Sequence, residues 1–203
     1  MNVEHRYCAD LGMFAVDRPI NTIRDDGGKV AAKGSCVWKT EACADCFNLK
    51  FMKMYQRDID RRDVRNEQSW QGLTGKALSA TLDRKNKRQT DRVRLMTRGE
   101  AFRDPSDVIR IRDLLTANPD RLFWIPTRAW RSRRMRPLIV AIMREFPNAR
   151  IQASTDVTTT REEQASLDDE GWSTMFFGDD EAFETLTGEE RHLCAKTWDK
   201  DKG

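Results

Sequence analysis

Three of the five cysteines in this 203-residue chain lie within eleven positions, in the segment CVWKTEACADC that contains Cys36, Cys43 and Cys46. Free thiols oxidise readily and pack no better than other small apolar side chains, so such a dense group indicates that something soft binds it. An odd, clustered set favours metal or redox chemistry over the disulfide framework of a secreted protein. Three thiolates leave one iron of a four-iron cluster open, or fall one ligand short of a closed zinc site. The residues alone leave both alternatives open.

The bulk composition indicates one folded domain, because 38% of the residues are hydrophobic and the length allows a real core. We divide it into an N-terminal extension (1–34), a βα core (35–195) and a tail (196–203). The net charge of +3 does not by itself indicate a nucleic-acid partner. There is no apolar run of membrane length and no apolar leader, so we predict a soluble protein of the host-cell cytoplasm with no membrane partner.

Strands are predicted near residues 93, 122, 149 and 172, with helical patterns between them. A helix begins at Asp104-Pro105. Two further helical stretches are predicted, one from about Ala44 and a second over 69–83. The regular spacing is typical of βα units with parallel strands. With a short strand at 29–32 before the cysteines, the pattern predicts an α/β fold. We expect a partial (β/α) barrel of parallel strands, with the cysteine-rich loop after the first strand, and a doubly wound sheet is the alternative.

Polar side chains follow the predicted strands, and the candidate catalytic residues among them are Arg98, Glu100, Arg128 and Asp156. Loops after parallel strands share one edge of the sheet, so we expect these residues to line a pocket beside the cysteines. The two arginines can anchor a phosphate or carboxylate, or they can pair with acids of the chain. Asp156 is a candidate general acid or base.

A basic segment, 131–136, follows Trp130 and contains four arginines. Arginine beside an aromatic ring suits single-stranded nucleic acid, whereas a solvated helix face is the interpretation we favour. We expect Phe123 and Trp124 to lie in the core.

Four segments resemble a family of bacteriophage proteins, the gene product 88 family, named for a mycobacteriophage gene product and distantly similar to radical S-adenosylmethionine (SAM) half-barrels. The resemblance covers roughly residues 30 to 195. The segments are Cys43-x-x-Cys46-Phe47, 92–102, the FW-x-x-TR-x-W block at 123–130 and the PN…S-x-D block at 147–156. The resemblance implies an iron–sulfur cluster (4Fe-4S) on Cys36, Cys43 and Cys46 in a βα scaffold.

The resemblance leaves the remaining ligands and cofactors open. The cysteine spacing is C-x6-C-x2-C, whereas radical SAM enzymes usually have C-x3-C-x2-C, and SAM is therefore a second candidate cofactor. Cys194 is a candidate fourth ligand, and zinc is the alternative metal. A separate zinc site at the chain ends, from His5, Cys8, His192 and Cys194, is a minor hypothesis.

Two functions follow from these observations. The first is an iron–sulfur protein that carries out a one-electron modification of a nucleotide or nucleic acid. The second is a non-enzymatic module with a structural zinc or iron–sulfur site that contacts nucleic acid or a host protein.

Overall fold

A computed structural model of the chain describes residues 5–8, 13–46, 48–49, 52, 55–85 and 91–188. The strands in these ranges are β1 His5–Cys8, β2 Met13–Val16, β3 Ile23–Arg24, β4 Val30–Ala32, β5 Arg92–Leu95, β6 Leu122–Thr127, β7 Ala149–Asp156 and β8 Ser173–Phe177. The α-helices are α1 Gln56–Gln71, α2 Gly75–Lys85, α3 Pro105–Thr116, α4 Arg136–Glu145, α5 Arg161–Asp169 and α6 Asp180–Thr187. Two short 3-10 helices cover Glu41–Asp45 and Ala129–Arg131. Among the helices of these ranges, there is none with the length and apolarity that a membrane crossing requires.

The main sheet has six strands in the order β1-β2-β5-β6-β7-β8. Strands β2, β5, β6, β7 and β8 are parallel neighbours, and β1 pairs antiparallel with β2 at one edge. The pairings found among the described strands leave β1 and β8 at opposite edges, so the sheet is open. Because parallel neighbours need long crossovers, helices fill the connections from β5 to β8, and the carboxyl ends of five strands share one edge. The predicted α/β fold with a parallel sheet is confirmed at this level.

The strand expected immediately before the cysteines is present as β4, but it is not a strand of the parallel sheet. It pairs antiparallel with β3 across a turn at 25–28, in which Gly28 has a φ of 77° and Asp25 accepts the backbone hydrogen bond of Lys29 at 2.9 Å. The first parallel strand is β2, which lies within the segment that we assigned to an extension. The short loop that joins β3 to β4 is compatible only with antiparallel pairing.

The predicted starts of four strands and of α3 are confirmed, whereas another predicted helix is wrong. Strands β5 to β8 begin within one residue of the predicted positions, and α3 begins as predicted, with Asp104 accepting the N–H of Ser106 at 3.0 Å and Pro105 in the first turn. The single helix predicted over 69–83 is wrong, because α1 ends at Gln71 and α2 begins at Gly75. A Cβ on Gly75 would lie 2.3 Å from the carbonyl oxygen of Asp113, so only glycine allows α2 to start against α3.

The two faces of the sheet have different characters, as the alternation of side chains along a strand requires. One face is buried beneath helices, and its residues pack with Ile111, Leu114, Ile139 and Ile142 of α3 and α4. The strand residues of this buried face include Val93, Leu95, Phe123, Ile125, Ile151 and Ala153. The opposite face, here named the open face, carries Arg92, Arg94, Trp124, Arg150 and Gln152.

The two aromatic residues that we expected in the core therefore separate. Phe123 lies on the buried face and is fully buried, as predicted. Trp124 is only half-buried on the open face, so that prediction was wrong. Adjacent residues of a strand point to opposite faces, and an apolar pair such as Phe123-Trp124 cannot place both rings in one core layer.

Candidate functional site

The cysteine loop, residues 35–46, is attached at its start to the segment that follows β5. The Ser35 hydroxyl donates to the carbonyl of Pro19 at 2.7 Å and accepts the N–H of Glu100 at 2.9 Å. The indole of Trp38 donates to the carbonyl of Phe102 at 2.8 Å. These bonds place the loop over the carboxyl end of the parallel sheet.

Two glycines permit this close approach. Gly99 has a φ of 88°, and a Cβ there would lie 2.6 Å from the carbonyl oxygen of Arg18 and 2.7 Å from Oγ of Ser35. A Cβ on Gly34 would lie 2.7 Å from backbone of Asn21. Side chains at these positions would push the cysteine loop off the sheet, since no flexible group is available to yield.

The middle of the loop is joined to β6 and β7 through Thr40. Its hydroxyl donates to Oδ2 of Asp156 at 2.8 Å and accepts from Nη1 of Arg128 at 2.9 Å. The same arginine nitrogen forms an ion pair with Asp156. The backbone N–H of Thr40 also donates to Sγ of Cys43 at 3.4 Å. One continuous network therefore connects a cysteine with two of the predicted site residues.

The Asp156 carboxylate is buried and accepts many hydrogen bonds at the end of β7. Burial acts to raise its pKa, but hydrogen bonds from Thr158, Arg128 and Thr40 prevail and lower the pKa to about 2. Arg131 approaches the second carboxylate oxygen at 3.4 Å. Asp156 is therefore ionised at neutral pH and is a poor proton acceptor, which makes it a structural anion more than a general base.

Glu100 is the second buried carboxylate at this edge. Its Oε1 accepts from the Thr127 hydroxyl at 2.7 Å and from the N–H of Phe102 at 3.0 Å, and its Oε2 accepts the N–H of Arg128 at 2.9 Å. Burial raises the pKa of Glu100 despite these donors. We name Thr40, Glu100, Thr127, Arg128 and Asp156 the strand-end cluster.

Cys36 lies beside this cluster and is electrostatically linked to it. Burial raises the pKa of the Cys36 thiol to about 12, and the nearby charge of Glu100 adds to the effect while that of Lys39 opposes it. Negative charge on Cys46 or Cys43 would raise it further. Without a bound cation Cys36 remains a protonated thiol at neutral pH.

The donor chemistry of the loop fits a soft metal or cluster, since all three cysteines are free thiols. As the loop stands, Sγ of Cys43 accepts the backbone N–H of Thr40 and lies 3.8 Å from its hydroxyl. No three His, Cys, Asp or Glu side chains of the described ranges converge on a single metal position. Binding would require the three thiols to turn toward one point. Cys194 and His192, together with the side chains of His5 and Cys8, lie outside what the structure describes, so the fourth-ligand and terminal zinc hypotheses stay predictions.

Arg98 has a different place from the other predicted residues. Its guanidinium forms a buried ion pair with Asp63 of α1, and it is only 4% exposed. Glu100, Arg128 and Asp156 thus share one cluster with the cysteine loop, whereas Arg98 joins α1 to the segment after β5.

The basic segment at 131–136 is engaged within the fold in part, since Arg133 and Arg134 are exposed. Arg131 donates to the hydroxyls of Thr158 and Thr159 at 3.1 Å and 2.9 Å, and Trp130 is buried with its indole N–H on the carbonyl of Ser154. A buried indole cannot stack on a base, so Trp130 is excluded as a nucleic-acid platform.

Sequence reasoning missed two groups that matter to this site. Thr40 lies between the first two cysteines, and a hydroxyl in a loop carries no pattern that signals a contact 116 positions away. Arg18, fully buried beneath Gly99, lies two residues after the end of β2, which places it among the strand-end residues once that strand is recognised.

Comparison with known proteins gives the family and little beyond it. The sequence matches the family described as Gene product 88 over residues 17–195, and the chain belongs to this family of phage gene products. No curated protein and no solved structure matches the chain.

Proposed function

We propose that this member of the Gene product 88 family is an iron–sulfur protein of the host-cell cytoplasm, with a four-iron cluster on Cys36, Cys43 and Cys46. In this proposal the open parallel sheet is a half-barrel scaffold resembling radical SAM enzymes. The observation that carries it is the attachment of a loop with three free thiols to the carboxyl edge of five parallel strands, where α/β proteins place their sites.

The chain's own residues would support the cluster in three ways. Ser35 and Trp38 hold the first part of the loop, and Thr40 holds the second part against the Asp156–Arg128 pair. The Lys39 charge lowers the pKa of Cys36 and so assists its conversion to a thiolate. When bound, a cluster with three protein ligands supplies one-electron chemistry at its open iron.

The proposed reaction is a one-electron modification of a nucleotide or nucleic acid, with SAM as the candidate second cofactor. Arg128 is the residue of the strand-end cluster with the right chemistry for a phosphate, because its side chain is 17% exposed and a guanidinium binds phosphate oxygens in pairs. The pairing with Asp156 would orient it and limit its affinity.

A non-enzymatic module with a structural zinc or iron–sulfur site, contacting nucleic acid or a host protein, is the second candidate. The low pKa of Asp156 favours this non-enzymatic candidate, because the carboxylate is unsuited to proton transfer at neutral pH. In that case Cys194 would complete a closed site.

Anaerobic purification followed by iron, sulfide and zinc analysis and a visible spectrum tests the proposal. We expect iron and sulfide in equal amounts with broad visible absorbance, and their loss in Cys36→Ser, Cys43→Ser or Cys46→Ser. Cys8→Ser is the matched control and should retain the metal. One zinc without sulfide would overturn the cluster, and loss of metal in Cys194→Ser would support the closed site.

A further inference from the structure

The open face of the sheet lies away from the strand-end cluster and has a chemistry of its own. A hollow of about 440 Å³ opens over it, lined by residues of β5, β6, β7 and β8. That volume is within the range of small-ligand sites. Its polar lining includes Arg92, Arg150, Gln152 and Ser173, and Leu122 contributes an exposed apolar side chain.

An arginine–tryptophan stack stands in the centre of this face. The guanidinium carbon of Arg94 lies 4.2 Å from the ring centroid of Trp124, and the strand register places Arg94, Trp124 and Arg150 in one row across three strands. The Trp124 indole also bonds to the Gln152 side chain, which fixes the ring orientation. Arg94 covers one face of the ring, and the side chain is half-buried, so part of its surface remains exposed.

The described lining of the hollow carries charged side chains of one sign. The described residues that line the hollow include two arginines and no aspartate or glutamate, although the chain contains 33 acidic residues. Arginine beside a partly exposed aromatic ring combines phosphate attraction with a surface against which a base can pack.

We propose that the open face binds single-stranded nucleic acid, with a base against the exposed part of Trp124 and a phosphate held by Arg150. A duplex is a poor fit, because its bases are stacked on one another and present no face to a side chain. An acidic peptide would satisfy the arginines but has no base to pack against the exposed part of the ring. This site is separate from the cysteine loop and does not rest on the proposed cluster.

Fluorescence anisotropy of a labelled single-stranded oligonucleotide of about fifteen nucleotides, titrated with the full-length protein, tests the proposal. Trp124→Leu should weaken binding at least about fivefold, and Trp124→Phe should stay within about twofold of wild type because a ring is retained. Arg150→Gln should lower the slope of log affinity against log salt by about 0.7, the loss of one phosphate contact on a single strand.

Arg134→Gln is the matched control, because it removes an equally exposed arginine from the basic segment at 131–136. We expect it to leave the affinity unchanged. If circular dichroism shows that Trp124→Leu does not fold, the binding of Arg150→Gln tests the proposal instead. The Arg150 side chain is exposed, so this substitution should leave the fold intact.

The proposal is overturned if wild type binds a duplex as tightly as the single strand, if polyglutamate competes equally well, or if Arg134→Gln weakens binding as much as Arg150→Gln. Unchanged binding by both Trp124→Leu and Arg150→Gln would also overturn it. Iron and sulfide content of the same samples separates a failure of this site from a failure of the cluster.

Discussion

Two regions of this protein bury arginine–carboxylate pairs, and they differ in access to solvent. Arg18 is fully buried, and its guanidinium contacts Glu67 and Asp107 at 2.8 Å while lying 5.1 Å from the ring of Trp70. The side chain of Arg128 is 17% exposed, and it shares its carboxylate partner with a loop hydroxyl. The first arrangement is closed on all sides and joins α1 to α3. The second leaves a cation at the edge of the sheet, beside three thiols.

The comparison teaches that the same ion-pair chemistry supports different roles according to what surrounds it. A fully desolvated pair is costly to break, because the remaining charge has no water to replace its partner. When a pair at the edge of the sheet is disturbed, water can hydrate both charges. The arginine of such a pair can therefore exchange its carboxylate partner for a ligand. Arg128 is therefore the functional candidate, whereas Arg18 contributes to the stability of the fold.

Arg18→Met should give the largest effect. It leaves Glu67 and Asp107 buried without their main counter-charge, and we expect a loss of about 4 kcal/mol in the free energy of unfolding. Urea unfolding measures it. Arg112→Met, which removes a surface pair with Glu145, is the control and should change stability by less than about 1 kcal/mol. Equal losses in the two variants would remove the distinction between buried and exposed pairs.

Asp156→Asn should have a smaller effect on stability and a specific one on the loop. We expect a loss of about 2 kcal/mol, because hydrogen bonds to a charged acceptor are weakened while Arg128 gains access to water. In the iron–sulfur protein that we propose, the weaker attachment of Thr40 should also lower the iron content, which iron analysis would show.

Asp169→Asn serves as its control, as an exposed acid with the same change in charge. A stability loss for Asp156→Asn as large as that of Arg18→Met would contradict the proposed difference in access.

Asp156 at the edge and Asp63, the α1 partner of Arg98, should also respond to pH with opposite signs. Asp156 has its pKa lowered to about 2, so its contribution is present above about pH 4 and is lost as the pH falls toward 2. Burial raises the pKa of Asp63 to about 6, although the charge and hydrogen bond of Arg98 act to lower it. The protonated form of Asp63 therefore stabilises the fold below about pH 4, and that contribution is lost as the pH rises through 6.

Unfolding free energies measured from pH 3 to 8 should therefore show a component that falls between about pH 4 and 6 and is absent in Asp63→Asn. Asp58→Asn, an exposed acid on the same helix, should retain it. A profile of Asp63→Asn that parallels wild type would show that Asp63 titrates normally in the folded protein.

Thr40→Val should give the smallest effect. It removes one hydroxyl that joins the cysteine loop to Asp156 and Arg128, and we expect a loss of about 1 kcal/mol with faster hydrogen exchange in the loop. Thr40→Ser retains the hydroxyl and should behave as wild type. If Thr40→Val leaves loop exchange unchanged, the attachment rests on Ser35 and Trp38 alone.

Much of the architecture could be read from local patterns. The Asp104-Pro105 cap and the regular spacing of apolar runs located α3 and four of the parallel strands, because caps and periodicity act over a few residues. The strand β2 was not predicted, because its four residues lie in a segment rich in turn signals and show too little periodicity. Trp124 was misplaced because adjacent apolar residues do not reveal which face is covered.

By itself the sequence determined four of the five parallel strands, the polar residues at their carboxyl ends and the clustering of three soft donors. Only the tertiary structure decided which of those residues meet, namely that Thr40 joins the cysteines to Asp156 while Arg98 turns to Asp63. The physical reason is that local propensities act over a few residues, whereas the partner of a buried charge is selected by packing between elements far apart in the chain.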